Sequence, residues 1–335
     1  MISDFGRRTA KRWSAGRIYG LLFTMGALFF AISLMVGKVW VPLASWGIAG
    51  DPRWWIVAEL RIPRSLLALA IGAVLGLGGA VLQGYLRNPL ADPSLIGVSA
   101  TAAFGAVLAI YLGLGGNLYA IGGFAMLAAG ASVALLGLLI GQSGSATGFI
   151  LAGTVLSTLA AALTALVISL APNPFATSEI VIWLLGALTD RGFAELTFAS
   201  PFLLLGSILL MLTGRALNML SLGDDVARSM GVNLTRLQWQ IAAGLGLAVG
   251  AGVAITGIVG FVGLIVPHLL RPLVGQKPSD LLLPSAVGGA VLMLAADTLV
   301  RATPGAAEVR LGVAMSVIGA PFFFWLLWRY RRRLA

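Results

Sequence analysis

Long apolar runs alternate with short polar breaks along almost the whole chain. The runs are 18–37, 65–86, 95–114, 118–140, 148–171, 196–214, 237–274, 281–300 and 309–328. Most have the length at which a helix crosses a bilayer, about 20 residues. The run 237–274 holds 38 residues, too many for one crossing at a rise of about 1.5 Å per residue. Its ends carry Arg236 and Arg271, so it is expected to cross twice, turning near Thr256 and Gly257. The pattern therefore predicts an all-α polytopic membrane protein of ten transmembrane helices. Residues 1–335 read as a single transmembrane domain, since no soluble domain, low-complexity linker or strong internal repeat interrupts it.

Two polar intervals are longer than turns. Residues 39–60 hold Trp40, Trp46, Trp54 and Trp55, suited to the membrane interface. Within 172–195 the apolar piece 178–188 is too short to span. It predicts a re-entrant or interfacial helix near the outer mouth.

Composition agrees with the pattern. Hydrophobic residues make up 59% and charged residues 10%, against about 25% charged in soluble domains. The net charge of +10 does not indicate nucleic acid, because the basic residues lie in short loops and at the termini rather than in a groove. Seven of the 22 basic residues, Lys38, Arg53, Arg61, Arg64, Arg191, Arg301 and Arg310, fall on one side of the ten-helix arrangement. The other 15 fall on the opposite side, and include Arg7, Arg8, Lys11, Arg12 and Arg17 at one terminus and Arg329, Arg331, Arg332 and Arg333 at the other. The positive-inside rule makes that side, with both termini, cytoplasmic. The apolar run after Arg17 is longer than a signal-peptide core and lacks a small-residue cleavage site, so it is expected to be an uncleaved first helix.

Candidate chemistry is sparse. There is no cysteine and one histidine, which removes thiolate chemistry and a histidine metal site; no cofactor or metal is expected. Gly37-Lys38 is followed by Val39, with Ile32 where a phosphate loop needs glycine, so ATP is not bound by such a loop here. Asp297 lies late in the ninth expected span, and the simplest account pairs it with Arg301 four residues on. His268 follows Pro267 and fits a polar helix end. Gly72-x-x-x-Gly76 and Gly246-x-x-x-Gly250 are close-packing motifs.

The most polar internal interval is 221–231. Ser221 and Asp224 have capping-box spacing, Asp224 and Asp225 suit a first turn, and Gly231 suits the stop. Leu222, Val226 and Met230 make one apolar stripe, with Asp225 and Arg228 off it. Either a docking surface or a capped helix packed on its own bundle fits. Arg87, Asn88, Pro89, Asp92 and Pro93 form a compact inner loop, made rigid by Asn-Pro and Asp-Pro turns, that could share a docking floor. Arg61, Arg64 and Arg301 stand at the outer ends of their spans. They either snorkel to the interface or present guanidiniums to carboxylates of a partner.

Taken in order, these stretches resemble the permease subunit of ATP-binding-cassette importers for iron chelates and cobalamin. The matching residues are Arg61-Ile-Pro-Arg64, Gly79-Ala-Val-Leu-Gln83, Arg87-Asn-Pro-Leu-Ala-Asp-Pro93 and Gly97. They continue through Leu222-Gly-Asp-Asp-Val-Ala-Arg228, Gly231, Gly260-Phe-Val-Gly-Leu-Ile-Val-Pro-His268, Ala296-Asp297 and Gly319-Ala-Pro-Phe322. One departure is Glu308-Val-Arg310, where the family often has proline shortly after the glutamate. The resemblance implies a bacterial inner-membrane subunit that pairs with a second copy or homologue. It implies two cytoplasmic ATP-binding subunits and a periplasmic substrate-binding protein. By similarity, Ser221, Leu222, Gly223, Asp224, Asp225, Val226, Ala227, Arg228 and Gly231 form the coupling helix. Arg61, Arg64 and Arg301 receive the binding protein's acidic residues. A ferric siderophore or haem is the expected cargo, with cobalamin as the alternative. A secondary carrier would need a buried charge relay and an intramembrane enzyme a polar cluster, and neither is visible.

Overall fold

The computed structural model describes residues 15–334, apart from 49, 141–144 and 305–307. The expected basic cluster Arg7, Arg8, Lys11 and Arg12 lies outside the described residues, as do the side chains of Arg331, Arg332 and Arg333. The described residues form helices and no strand. They are α1 (Ala15–Met35), α2 (Pro52–Trp55), α3 (Ile62–Tyr85), α4 (Val98–Ala109), α5 (Leu118–Ile140), α6 (Ala146–Ser169) and α7 (Pro174–Leu184). The second half of the chain holds α8 (Phe193–Met211), α9 (Gly214–Leu220), α10 (Asp224–Ser229), α11 (Leu234–Thr256), α12 (Val262–Val274), α13 (Pro278–Ala302) and α14 (Leu311–Leu334).

Eight helical stretches among the described residues are long and apolar enough to cross a membrane. The remaining apolar helices, Val98–Leu114, Pro174–Leu184 and Val262–Val274, are shorter. The long 237–274 run breaks where its composition predicts. Helix α11 ends at Thr256, Gly257 takes φ 71°, and α12 resumes only at Val262. The piece expected at 178–188 instead starts earlier, because the Asn173 side chain accepts the Ala176 N–H at 2.9 Å and Pro174 fits a first helical position. It stops earlier because Gly186 turns left-handed at φ 73°. That turn is stitched to the α11–α12 break by Ala187 N–H, which donates to Thr256 O at 2.7 Å, and to the start of α14 by Gly312 N–H, which donates to Gly186 O at 3.1 Å.

Helices α3, α11 and α13 form the buried centre, while α1, α5, α6, α8 and α14 expose more of their surface. The tightest contact is α3 on α13, and glycine permits it. A β-carbon on Gly72 or Gly76 would collide with the carbonyls of Gly289 and Ser285, and one on Gly79 with the Gly263 carbonyl of α12. Close backbone approach of this kind drives helix association where lipid removes the hydrophobic force. Gly246 and Gly250 likewise face Val133 and Ala129 of α5. Both Gly-x-x-x-Gly motifs thus serve internal packing.

Candidate functional site

The two ends of the α3–α13 pair each carry a polar assembly; they are named inner and outer for the sides that the charge pattern of the sequence predicts. At the inner end, α10 is a helix of 6 residues that buries only Ala227. The expected capping box is absent. Ser221 Oγ turns back to donate to Asn218 O at 2.6 Å, and Gly223, at φ 115°, is the residue before the helix. That backbone geometry is open essentially to glycine alone, so the start of α10 is set by conformation rather than by a cap. The stop is as expected: Gly231 is left-handed, and Val232 N–H reaches Ala227 O at 3.0 Å.

Leu222, Val226 and Met230 point away from the bundle, exposed at 64%, 42% and 51%. The stripe is open, while Ala227 on the other side of the helix is buried. Asp225 and Arg228 stand beside it, fully and half exposed, 3.9 Å apart.

Two anchors hold α10 to the bundle. Arg87 Nη2 donates to Asp224 Oδ1 at 2.7 Å, joining the inner loop to the first turn of α10. One turn upstream, Asn218 exchanges two 2.9 Å hydrogen bonds with Ser279, tying α9 to the start of α13. The inner loop forms the turns that its Asn-Pro and Asp-Pro pairs predict. Asn88 Oδ1 accepts from Leu90 N at 3.0 Å and Asp92 Oδ1 from Ser94 N at 2.9 Å. Arg87, Asn88, Ser94 and Leu95 are exposed, Pro89 and Asp92 are half-buried, and Ala91, Pro93 and Ile96 are buried. Pro93 packs beneath Gly78 and Gly263. Gln83 draws this end together, with Nε2 donating to Gly263 O at 3.3 Å and Oε1 accepting from Arg271 Nη2 at 2.8 Å. Gln83 closes the stretch Gly79-Ala-Val-Leu-Gln83, but its role depends on contacts 180 and 188 residues away and cannot be read locally.

At the outer end, Arg61, Arg64 and Arg301 converge, as their positions suggest, but they are buried rather than standing free at a rim. Pro63 explains part of this. It donates no hydrogen bond and crowds the carbonyl one turn back, and the helix widens into a π turn over Ile56–Arg61. Arg61 then swings inward to donate to Leu34 O at 2.7 Å and Met35 O at 3.1 Å, with Val39 O as third acceptor. It caps the end of α1.

Asp297 is fully buried and serves both other arginines. Arg64 Nε and Nη2 grip it at 3.0 and 2.8 Å, and Arg301 Nε lies at 3.1 Å, the pairing expected from sequence. Arg301 Nη1 also donates to Ser33 O at 2.9 Å. Arg64 Nη2 extends to Glu308 Oε2 at 2.9 Å, and Thr189 Oγ1 reaches the same oxygen at 3.0 Å. Burial pushes the Glu308 carboxyl up, and Arg64, Thr189 and Arg301 together more than offset it, so the group sits below its ordinary value. Glu308 and Thr189 are the functional candidates that sequence alone did not single out. A cavity of about 200 Å³ opens over this network, lined by Arg61, Arg64 and Arg301 with Lys38, Arg191 and Glu308 among others. His268 holds its ring edge-on to Phe322, centroids 5.9 Å apart, and no cluster of three metal-ligating side chains occurs among the described residues.

Comparison with known proteins adds independent information. The chain matches the FecCD transport family over residues 24–329. It is 36% identical to the ABC transporter permease protein YvrB of Bacillus subtilis, covering 92% of this chain and 94% of the relative. It is 35% identical to the hemin transport system permease protein HmuU of Yersinia pestis, covering 84% and 86%. It is 33% identical to the vitamin B12 import system permease protein BtuC of Klebsiella pneumoniae, covering 99% and 98%. Among solved structures, an inward-facing conformation of a metal-chelate type ABC transporter superposes with a TM-score of 0.84 at 35% identity, covering 94% of this chain and 99% of the other.

Proposed function

The chain belongs to the FecCD transport family, and on that premise we propose that it carries an iron chelate, a ferric siderophore or haem, from periplasm to cytoplasm. It is a multi-pass ABC importer permease. Cobalamin is the second cargo reading, favoured by the similarity to vitamin B12 permeases. In this proposal residues 1–335 form one domain in the inner membrane, with ten crossings and both termini cytoplasmic. The eight long spans are joined by Val98–Leu114 and by the short α12 with the extended stretch before it.

The observation that carries the mechanism is the open apolar stripe of α10, flanked by Asp225 and Arg228. Such a surface suits a groove on a cytoplasmic ATP-binding subunit, two of which would serve two permease copies. A push on α10 passes through Arg87 to the α3 end and through Asn218 to the start of α13. Because α3 and α13 meet backbone to backbone, they move as one rod toward the outer network, where Arg64 of α3 holds Asp297 of α13. The outer cavity is the proposed landing place for acidic residues of a periplasmic binding protein. Arg61, Arg64 and Arg301 already hold internal acceptors, while Arg301 Nη2 is buried without a hydrogen-bond partner, so an arriving carboxylate can take that donor or exchange with an acid of the network. Glu308, the least buried acid of the network, is the one to yield.

The test is ATP hydrolysis and uptake in proteoliposomes. The purified chain alone is expected to hydrolyse no ATP and to gain hydrolysis on assembly with a separate ATP-binding subunit. Uptake of labelled ferric siderophore, haem and cobalamin by that assembly identifies the cargo. Hydrolysis by the isolated chain would overturn the assignment.

A further inference from the structure

A second cavity, of about 190 Å³, opens beneath the inner end of α3 beside α10. Gln83, Arg87, Ser221, Arg271 and Gln276 line it, together with apolar groups such as Leu281. The two guanidiniums and the Gln276 amide can donate hydrogen bonds into it, the Ser221 hydroxyl and Gln83 Nε2 being turned to Asn218 O and Gly263 O, and among the described residues lining it none is acidic. The wall also includes Pro278, the first residue of the 25-residue α13, whose amino end carries the positive end of the helix dipole. Arg271 is fixed at the wall by its 2.8 Å bond to Gln83. Arg87 is held at φ 48°, a left-handed conformation uncommon outside glycine. Backbone strain of this kind is kept where a site needs the side chain in one place.

We propose that this cavity binds a phosphate group, presented by the headgroup of an anionic phospholipid of the same leaflet. Guanidinium forks match phosphate oxygens in geometry as well as charge. Basic pockets between spans on the cytoplasmic side are where anionic headgroups settle. The leaflet rests on the orientation proposed above; the site itself does not. Arg87 gives the site a consequence. The same guanidinium holds Asp224 at the first turn of α10, with both side chains partly exposed. A phosphate in the cavity adds a second anion to Arg87, so the charge of the surrounding lipid sets how firmly α10 is tied to the inner loop.

The full chain is reconstituted in nanodiscs of phosphatidylcholine, with or without phosphatidylglycerol, and lipid retained on release is counted by native mass spectrometry. The wild type is expected to keep phosphatidylglycerol in preference to phosphatidylcholine. Gln276→Glu, at an exposed position, brings a carboxylate to the wall and should cut that retention roughly fivefold, the value of about one charge at a membrane surface. Gln276→Lys should raise it, which guards against a variant that merely misfolds. Binding of radiolabelled inorganic phosphate in phosphatidylcholine discs, lost in Gln276→Glu, would keep the site and make free phosphate its source. Equal lipid retention by all three proteins with no phosphate bound would overturn the proposal. The assay contains no ATP-binding subunit, so a failed coupling assignment and a failed lipid site give separate results.

Discussion

Arg64 meets Asp297 at 2.8 Å and Arg87 meets Asp224 at 2.7 Å. The two pairs are nearly equal in length and opposite in setting. The Asp297 side chain is fully buried and Arg64 is 10% exposed, whereas Asp224 and Arg87 are 40% and 44% exposed. Water has been removed from the outer pair, and each group there depends on its partner for the solvation it lost. Water remains around the inner pair, and either group can let go at little cost. The outer assembly is therefore suited to holding α1, α3 and α13 in one arrangement. The inner one is suited to an element that must engage a partner and shift. Near-equal distance says little about strength; burial separates a clamp from a tether.

The sharpest way to break this contrast is Asp297→Ala. It strands Arg64 and Arg301 in a buried site and should cost about 3–5 kcal/mol, read as thermal unfolding in detergent. A loss below about 1 kcal/mol, the level of an exposed pair, would erase the difference between the two ends. Arg61→Leu comes next. It leaves the carbonyls of Leu34, Met35 and Val39 without their donor, and should cost about 1–3 kcal/mol. An unchanged unfolding temperature would mean that water replaces the guanidinium.

Acid sharpens the comparison further. Glu308 has its proton affinity lowered in the folded protein, so its contribution is complete above the ordinary carboxylate range and is lost as pH falls through its lowered value. Unfolding followed from pH 6 (a chosen start, roughly two units above the carboxylate range) down into that range should show an acid-labile component. Glu308→Gln should remove it. A Glu308→Gln profile that overlays the wild type would exclude Glu308 as the yielding group.

At the inner end the expected stability effects are small and the functional ones large. Exchanging the pair, Arg87→Asp with Asp224→Arg, should change stability by no more than about 1 kcal/mol. Each single change should weaken coupling of ATP hydrolysis to transport, and the exchange should restore part of it. Independent single effects, with no restoration, would mean the tether does not carry the push. Smallest of all in stability, within about 0.5 kcal/mol, is joint replacement of Asp225 and Arg228 by alanine. Its readout is loss of co-purification with the ATP-binding subunit, and normal assembly and transport would remove α10 from the coupling role.

Local chemistry was enough for much of this. Apolar length placed the eight long helices found among the described residues, and flanking charge anticipated the break at Gly257, because a lipid solvent forces each crossing to be a helix of fixed length. Gly231 marked the end of α10, and the four-residue spacing of Asp297 and Arg301 foretold their contact, because both depend on neighbours within a turn or two. What tertiary structure alone decided lies at long separation. Arg64 reaches Asp297 across 233 positions and Glu308 across 244, so three arginines that read as rim charges became a buried clamp. Ser221 has the spacing of a cap, yet its hydroxyl turns back to Asn218 because Gly223 resets the chain direction first. The stripe of Leu222, Val226 and Met230 is the same in any helix; whether it faces the bundle or the solvent depends on how α9 is pinned to α13. Periodicity specifies which residues share a face, and packing specifies where that face points.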